Sequence, residues 1–222
     1  MNNLEWQARV DTAALYRLIA LEGWDDLIGT HVSARIPGDE HRFLLNPYGM
    51  LFEEITASSL LTIDLNGNQL TTSDYKFNHA GFTIHSAVHM NRDDAMFVIH
   101  LHTDYGIAIS CQKEGLKPLN QTAIAVYSDL AYHDYEGVAT NLAERERIVE
   151  DLGENNAMIL RNHGTMACGP NAGGAWQAIF RLERACRYQI LAESGGANTR
   201  SLSADIIDSR AGATSTEALA TR

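Results

Sequence analysis

Residues 97–103 read FVIHLHT, an apolar run that places two imidazoles two positions apart. In a buried strand alternate side chains share a face, so His100 and His102 project to one side while Ile99 and Leu101 point to the other. Two imidazoles side by side can grip one ion. Two hydrogen-bonded structural histidines are the other reading of this pair, and a third ligand decides between the two. The candidate is His163 in ILRNHGTMACG, directly after the apolar strand AMIL and before Gly164, a residue that permits a tight backbone turn beside a site. Three neutral imidazoles with an open fourth position make a Lewis-acid centre, able to hold water or a substrate oxygen and to stabilise negative charge developing there. The donor set suits zinc, iron, copper and nickel and admits manganese, so zinc is only the default.

A metal that polarises a carbonyl needs other groups to move protons. The segment YSDLAYHDYEG supplies the densest set, with Tyr132, His133, Tyr135 and Glu136 close to the turn-forming Gly137. Of these Glu136 and Tyr132 are favoured, with His133 as the group that titrates nearest neutral pH. The plainer reading is a loop whose tyrosines pack a subunit interface. His85 and His89 stand four apart, on one side of a helix facing the metal strand, as hydrogen-bonded supports rather than ligands. Arg35 and Arg161 are the basic residues nearest the motifs, suited either to an acid group of substrate or to an internal ion pair.

These residues need elements to hold them. Apolar positions Leu4, Val10, Ala14, Leu15, Leu18 and Ile19 predict a helix over 4–22 that stops at Gly23. THVSARI, RFLLN and LLTIDL, broken by turn signals, predict antiparallel strands in a meander. GFTIHSAVHMN reads as a helix, AMFVIHLH as a strand, 103–110 as helical, NLAERERIVEDLG as an amphipathic helix, AMILRN as a short buried strand, and AGGAWQAIFRLERACRYQILAES as a long helix. Residues 194–222, rich in Gly, Ala, Ser and Thr, read as a flexible or partner-docked tail after a domain spanning 1–193. The fold class is α/β, with a largely antiparallel central sheet flanked by helices.

The bulk properties narrow the functions. Of 222 residues 45% are hydrophobic, enough for one domain with a real core. A net charge of −11 with no Lys/Arg cluster argues against nucleic acid or an anionic membrane surface as partner. No apolar stretch approaches the roughly 20 residues that cross a bilayer, and the N-terminus is unlike a secretory signal, so a soluble, cytoplasmic protein is expected. Cys111, Cys168 and Cys186 are scattered and read as ordinary buried thiols.

Taken together, GTHVSARIPG, LLNPYGMLFEEITASSLLTIDLNGN, AGFTIHSAVHMNRDDAMFVIHLHT and RNHGTMACG resemble the class II aldolase and adducin head-domain family over roughly residues 5–193. The resemblance implies a three-layer α/β/α fold around an antiparallel sheet, a divalent metal, usually zinc, on His100, His102 and His163, and a homotetramer with active sites between subunits. It also exposes departures. Where the sugar-phosphate aldolases carry Ser-Ser-Glu this chain has His79, Ala80 and Gly81, so the family's acid/base glutamate is absent. Their Gly-Asn-x-Ser loop is replaced by Gly29, Thr30, His31, Val32 and Ser33, and their Thr-Pro-x-Gly turn by Asn46, Pro47, Tyr48 and Gly49. A small keto or hydroxy acid or an aldehyde is therefore expected as substrate, not a sugar phosphate, with His31, Asn46, Gly49 and His79 as its contacts. AGFTIHSAVH, HLHT and AYHDYEG are similar to the adducin-like branch, without the neck and basic tail of a cytoskeletal adducin. Three functions follow from the resemblance: a metal-dependent carbon–carbon lyase of aldolase or decarboxylase type, which is preferred; a non-haem Fe(II) oxygenase on the same three histidines; and a non-catalytic adducin-like scaffold.

Overall fold

The structure is a computed structural model that describes residues 2–39, 41–139, 141–196 and 198–211. The first helix, α1 (Asn3–Glu22), begins at Asn2, whose side chain accepts the Glu5 N–H at 2.8 Å, and stops at Gly23 in the left-handed conformation. Its packed side is not the stripe read from the sequence. Leu4, Val10 and Leu18 are exposed, while Ala8, Leu15, Tyr16 and Ile19 are buried together with Arg9 and Thr12. The buried guanidinium is tolerated because it donates to Leu60 O at 2.8 Å and Thr62 Oγ1 at 2.7 Å.

Strands β1 (His31–Arg35), β2 (Arg42–Leu45) and β3 (Leu61–Asp64) form the expected antiparallel meander. Then come α2 (His79–Asn91), β4 (Phe97–Leu101), α3 (Asp104–Ser110), α4 (Gln121–Tyr127) and β5 (Leu130–His133). The chain continues through α5 (Glu144–Leu152), β6 (Ala157–Leu160), β7 (Gly164–Gly169), α6 (Ala172–Glu193) and α7 (Ala204–Ala211). The strands join in one sheet of order β3-β2-β1-β4-β7-β6-β5, antiparallel except between β5 and β6. That parallel pair requires a crossover, which α5 supplies. Two of the strands, β5 and β7, and helix α4 were not read from the sequence: β5 lies where a loop was expected and β7 follows directly on His163.

The sheet is covered on both faces, giving the three layers. Val32, Ala34, Ile99 and Leu101 point towards α1, α3 and α6, whereas Val98, Met158 and Met166 point towards α2 and α5. Alternation along β1 and β4 therefore turns His31, Ser33 and His100 towards α2. Cys168 and Cys186 are buried thiols, but Cys111 is exposed, because it caps the C-terminus of the short α3 at the surface. Helix α7 packs on α4, and residues 212–222 of the tail lie outside the described residues. Among the described residues no helix is long and apolar enough to cross a membrane.

Candidate metal centre

Antiparallel pairing brings the start of β1, the end of β4 and the start of β7 to one end of the sheet, since His31 lies opposite His100 and Leu101 opposite Thr165. His100 stands on β4 and His102 just beyond it, and the β6–β7 hairpin delivers His163. In that hairpin Asn162 takes the left-handed conformation at φ 56°, which asparagine tolerates better than most residues. Gly164 does not make the turn. It is needed because a Cβ there would sit 2.3 Å from Leu101 O on β4. One ligand-capable atom from each of His100, His102 and His163 lies within 4.8 Å of the others, and among the described residues this is the group suited to holding a metal ion.

The tautomers follow from the partners. Nδ1 of His100 lies 2.9 Å from the Thr165 carbonyl, which can only accept, so that nitrogen carries the proton. Nδ1 of His102 lies 3.0 Å from the Asp26 carboxylate and donates likewise. Both remaining nitrogens, the two Nε2 atoms, then face each other at 3.0 Å. Two lone pairs at this distance repel unless a proton or a cation lies between them. The rings of both histidines lie within 4.9 Å of the His163 ring, centroid to centroid. Burial lowers the pKa of His100 well below its ordinary value and that of His163 to about 4, in each case reinforced by the neighbouring histidines, which keeps the imidazoles neutral as ligands require. The donor set thus fits a divalent cation, anchored behind by a carbonyl and a carboxylate.

Around this cluster the other candidates separate. His31 is buried, stacked on His100 with centroids 5.5 Å apart, and edge-on to His85 at 5.4 Å. The Asn78 side chain caps α2 by accepting the Ala80 N–H, so its amide nitrogen faces His31 Nε2 at 3.3 Å. His31 Nδ1 is left buried without a protein partner. Ser33 Oγ joins His85 Nδ1 at 2.5 Å and His89 Nε2 at 2.7 Å, placing both helix histidines in a buried network under β1. Asn46 is buried with an unpartnered side-chain oxygen, Gly49 lies in an exposed turn at φ 100°, and His79 is exposed against Phe77.

In the 132–136 segment the favoured groups are engaged. The Tyr132 hydroxyl accepts the Leu116 N–H at 3.0 Å beneath the Arg161 guanidinium, both oxygens of Glu136 are held by Arg147, and His133 is buried with Nδ1 on Asp151 at 2.7 Å. Tyr135 is exposed and its ring centroid is 6.2 Å from that of His163. Arg35 binds Asp93 and the carbonyls at the end of α2, and Arg161 is paired internally with Asp134. Sequence reasoning missed Asp26, Asn78 and Ser33, because each acts through a partner at least 47 residues away that no local pattern marks.

Residues 10–190 match the family model described as Class II Aldolase and Adducin N-terminal domain. A Caulobacter vibrioides protein named "Putative aldolase class 2 protein" is 61% identical over 196 residues, covering 88% of this chain and 76% of the relative. A crystal structure described as an aldolase II superfamily protein from Pseudomonas syringae superposes with a TM-score of 0.92 at 46% identity, covering 95% of this chain and 86% of that one. The L-fuculose 1-phosphate aldolase of Glaciozyma antarctica superposes with a TM-score of 0.84 at 28% identity, covering 94% and 82%.

Proposed function

Because the chain belongs to the class II aldolase and adducin N-terminal domain family, we propose that it is a metal-dependent lyase that forms or breaks a carbon–carbon bond beside a carbonyl. His100, His102 and His163 hold the divalent metal, with zinc as the default. The observation that carries this reading is the pair of lone-pair nitrogens facing each other at 3.0 Å with a third imidazole beside them. When bound, the metal supplies Lewis-acid stabilisation of a developing enolate oxygen.

The chain's own residues do the remainder. Thr165 and Asp26 fix the ligand tautomers from behind. The 132–136 segment moves the proton, and within it Tyr135 takes first place over Glu136, Tyr132 and His133, because it is exposed beside His163 whereas the other three are held by partners. His31, Asn46, Gly49 and His79 contact the substrate, and the histidine and small residues at the N-terminus of α2 favour a keto or hydroxy acid or an aldehyde over a sugar phosphate. The working unit is a homo-oligomer, a tetramer by family resemblance.

Elemental analysis of protein purified without added metal tests the reading. About one equivalent of a divalent metal is expected, lost in the His100→Ala, His102→Ala double variant, followed by turnover of keto acids or aldehydes. Retention of stoichiometric metal by the double variant would reject the site, and iron in the native protein would put the oxygenase reading first.

A further inference from the structure

Both histidine motifs run on into a threonine, His102-Thr103 and His163-Gly164-Thr165, and the function proposed above assigns neither hydroxyl a role. The two hydroxyls converge. Thr103 Oγ1 donates to one oxygen of Glu183 and Thr165 Oγ1 donates to the other. The direction is set at Thr103, whose oxygen already accepts the Gly106 N–H at 2.9 Å as the cap of α3, leaving its proton for the carboxylate.

Glu183 sits in the middle of α6 and is only 2% exposed. Among the described residues no ion pair includes it. A buried carboxylate without a cation is costly, and an apolar side chain would fill the space more cheaply, so packing alone does not account for it. Its two threonines stand beside all three candidate ligands: Thr103 follows His102, Thr165 lies two residues after His163, and the Thr165 carbonyl takes the His100 Nδ1–H. The joint is closed. A Cβ at Gly106 would meet Thr103 Oγ1 at 2.8 Å, Thr165 Cγ2 at 3.0 Å and Glu183 Oε1 at 3.2 Å. The imidazole of His100 faces α2, whereas Glu183 belongs to the helix on the opposite face of the sheet.

We propose that Glu183 is a positioning residue of the metal centre: from behind the sheet its carboxylate clamps Thr103 and Thr165 and so sets the separation and orientation of His100, His102 and His163. The inference rests on the reading that these histidines hold a divalent metal.

The test uses Co(II) loaded into the stripped full-length protein, read by its visible absorption and by the rate at which a chelator removes it. Glu183→Ala is expected to change the absorption envelope and to weaken retention by roughly 10–100-fold, the range found when groups supporting metal ligands are removed. Thr103→Val is expected to do the same in part, while Thr103→Ser, which keeps the hydroxyl, retains the native spectrum. A general loss of packing lowers the melting temperature without altering the spectrum, so the melting temperature is recorded for each variant. A native spectrum and native chelator kinetics in folded Glu183→Ala would overturn the inference, and should that variant fail to fold, the same result in Thr103→Val would do so. Wild-type protein that takes up no Co(II) would overturn the metal reading and this inference with it, whereas uptake unchanged by the variants rejects the role of Glu183 alone.

Discussion

A side chain missing at Gly81 is what lets His31 lie where it does. A Cβ at that position would come within 2.7 Å of the His31 ring, so the position at which family resemblance places a glutamate is here closed by an imidazole from β1. Gly81→Ala should therefore displace the ring from its stack on His100 and destabilise the fold by roughly 1–3 kcal/mol, the usual cost of overpacking. Chemical denaturation measures the loss, and an unchanged midpoint would show that the ring has room to move. The three candidate ligands were legible as residues, because alternation along a strand fixes which histidines share a face. Asp26 was not legible. Its carboxylate meets His102 across 76 residues of chain, and nothing in GWDDLIGTH sets it apart from the neighbouring Asp25.

Among the elements, those with a strong period or a clear stop were readable and those made of small residues were not. Helix α6 announces itself by length and by Asn171, whose side chain accepts the Gly174 N–H at 2.8 Å. Removing that cap by Asn171→Ala should cost about 1 kcal/mol; the shift is read from the unfolding midpoint, and no shift would mean that water replaces the cap. Strand β7, with the sequence GTMACG, has little intrinsic strand preference and is bounded by glycines that ordinarily signal turns. Tertiary packing overrides that signal. The strand is buried between β4 and β6, and Gly169 lets α6 approach so closely that a Cβ would stand 2.5 Å from Ala175 N. Strand β5 was hidden for a different reason, since its only sheet partner is β6 through a parallel pairing, which no local turn encodes.

For the whole molecule, buried neutral histidines tie stability to pH. Burial lowers the pKa of His85 and His89 to about 3, with a further push from the neighbouring His89 on the first and from Arg35 on the second. The unfolded chain titrates these groups near 6.5, so below that pH it binds protons that the folded chain refuses. Their contribution is therefore full above pH 6.5 and falls as the pH drops through the window down to about 3. At pH 5 each should cost about 2 kcal/mol relative to neutral pH. Urea unfolding at pH 7.5 and pH 5 checks this, and His89→Gln should remove about half of the difference; equal stability at both values would mean that the two rings are hydrated in the fold. The sequence by itself determined the class of fold, the meander, the principal helices and the three histidines, because these rest on periodicity, on turn chemistry and on which side chains share a strand face. Only the tertiary structure decided the strand order, the parallel β5–β6 pair, which face of α1 is buried, and the groups that hold the histidines in place. Those features depend on contacts between residues far apart in the chain, whose formation is governed by packing and by the need to satisfy buried polar atoms, and neither leaves a local trace.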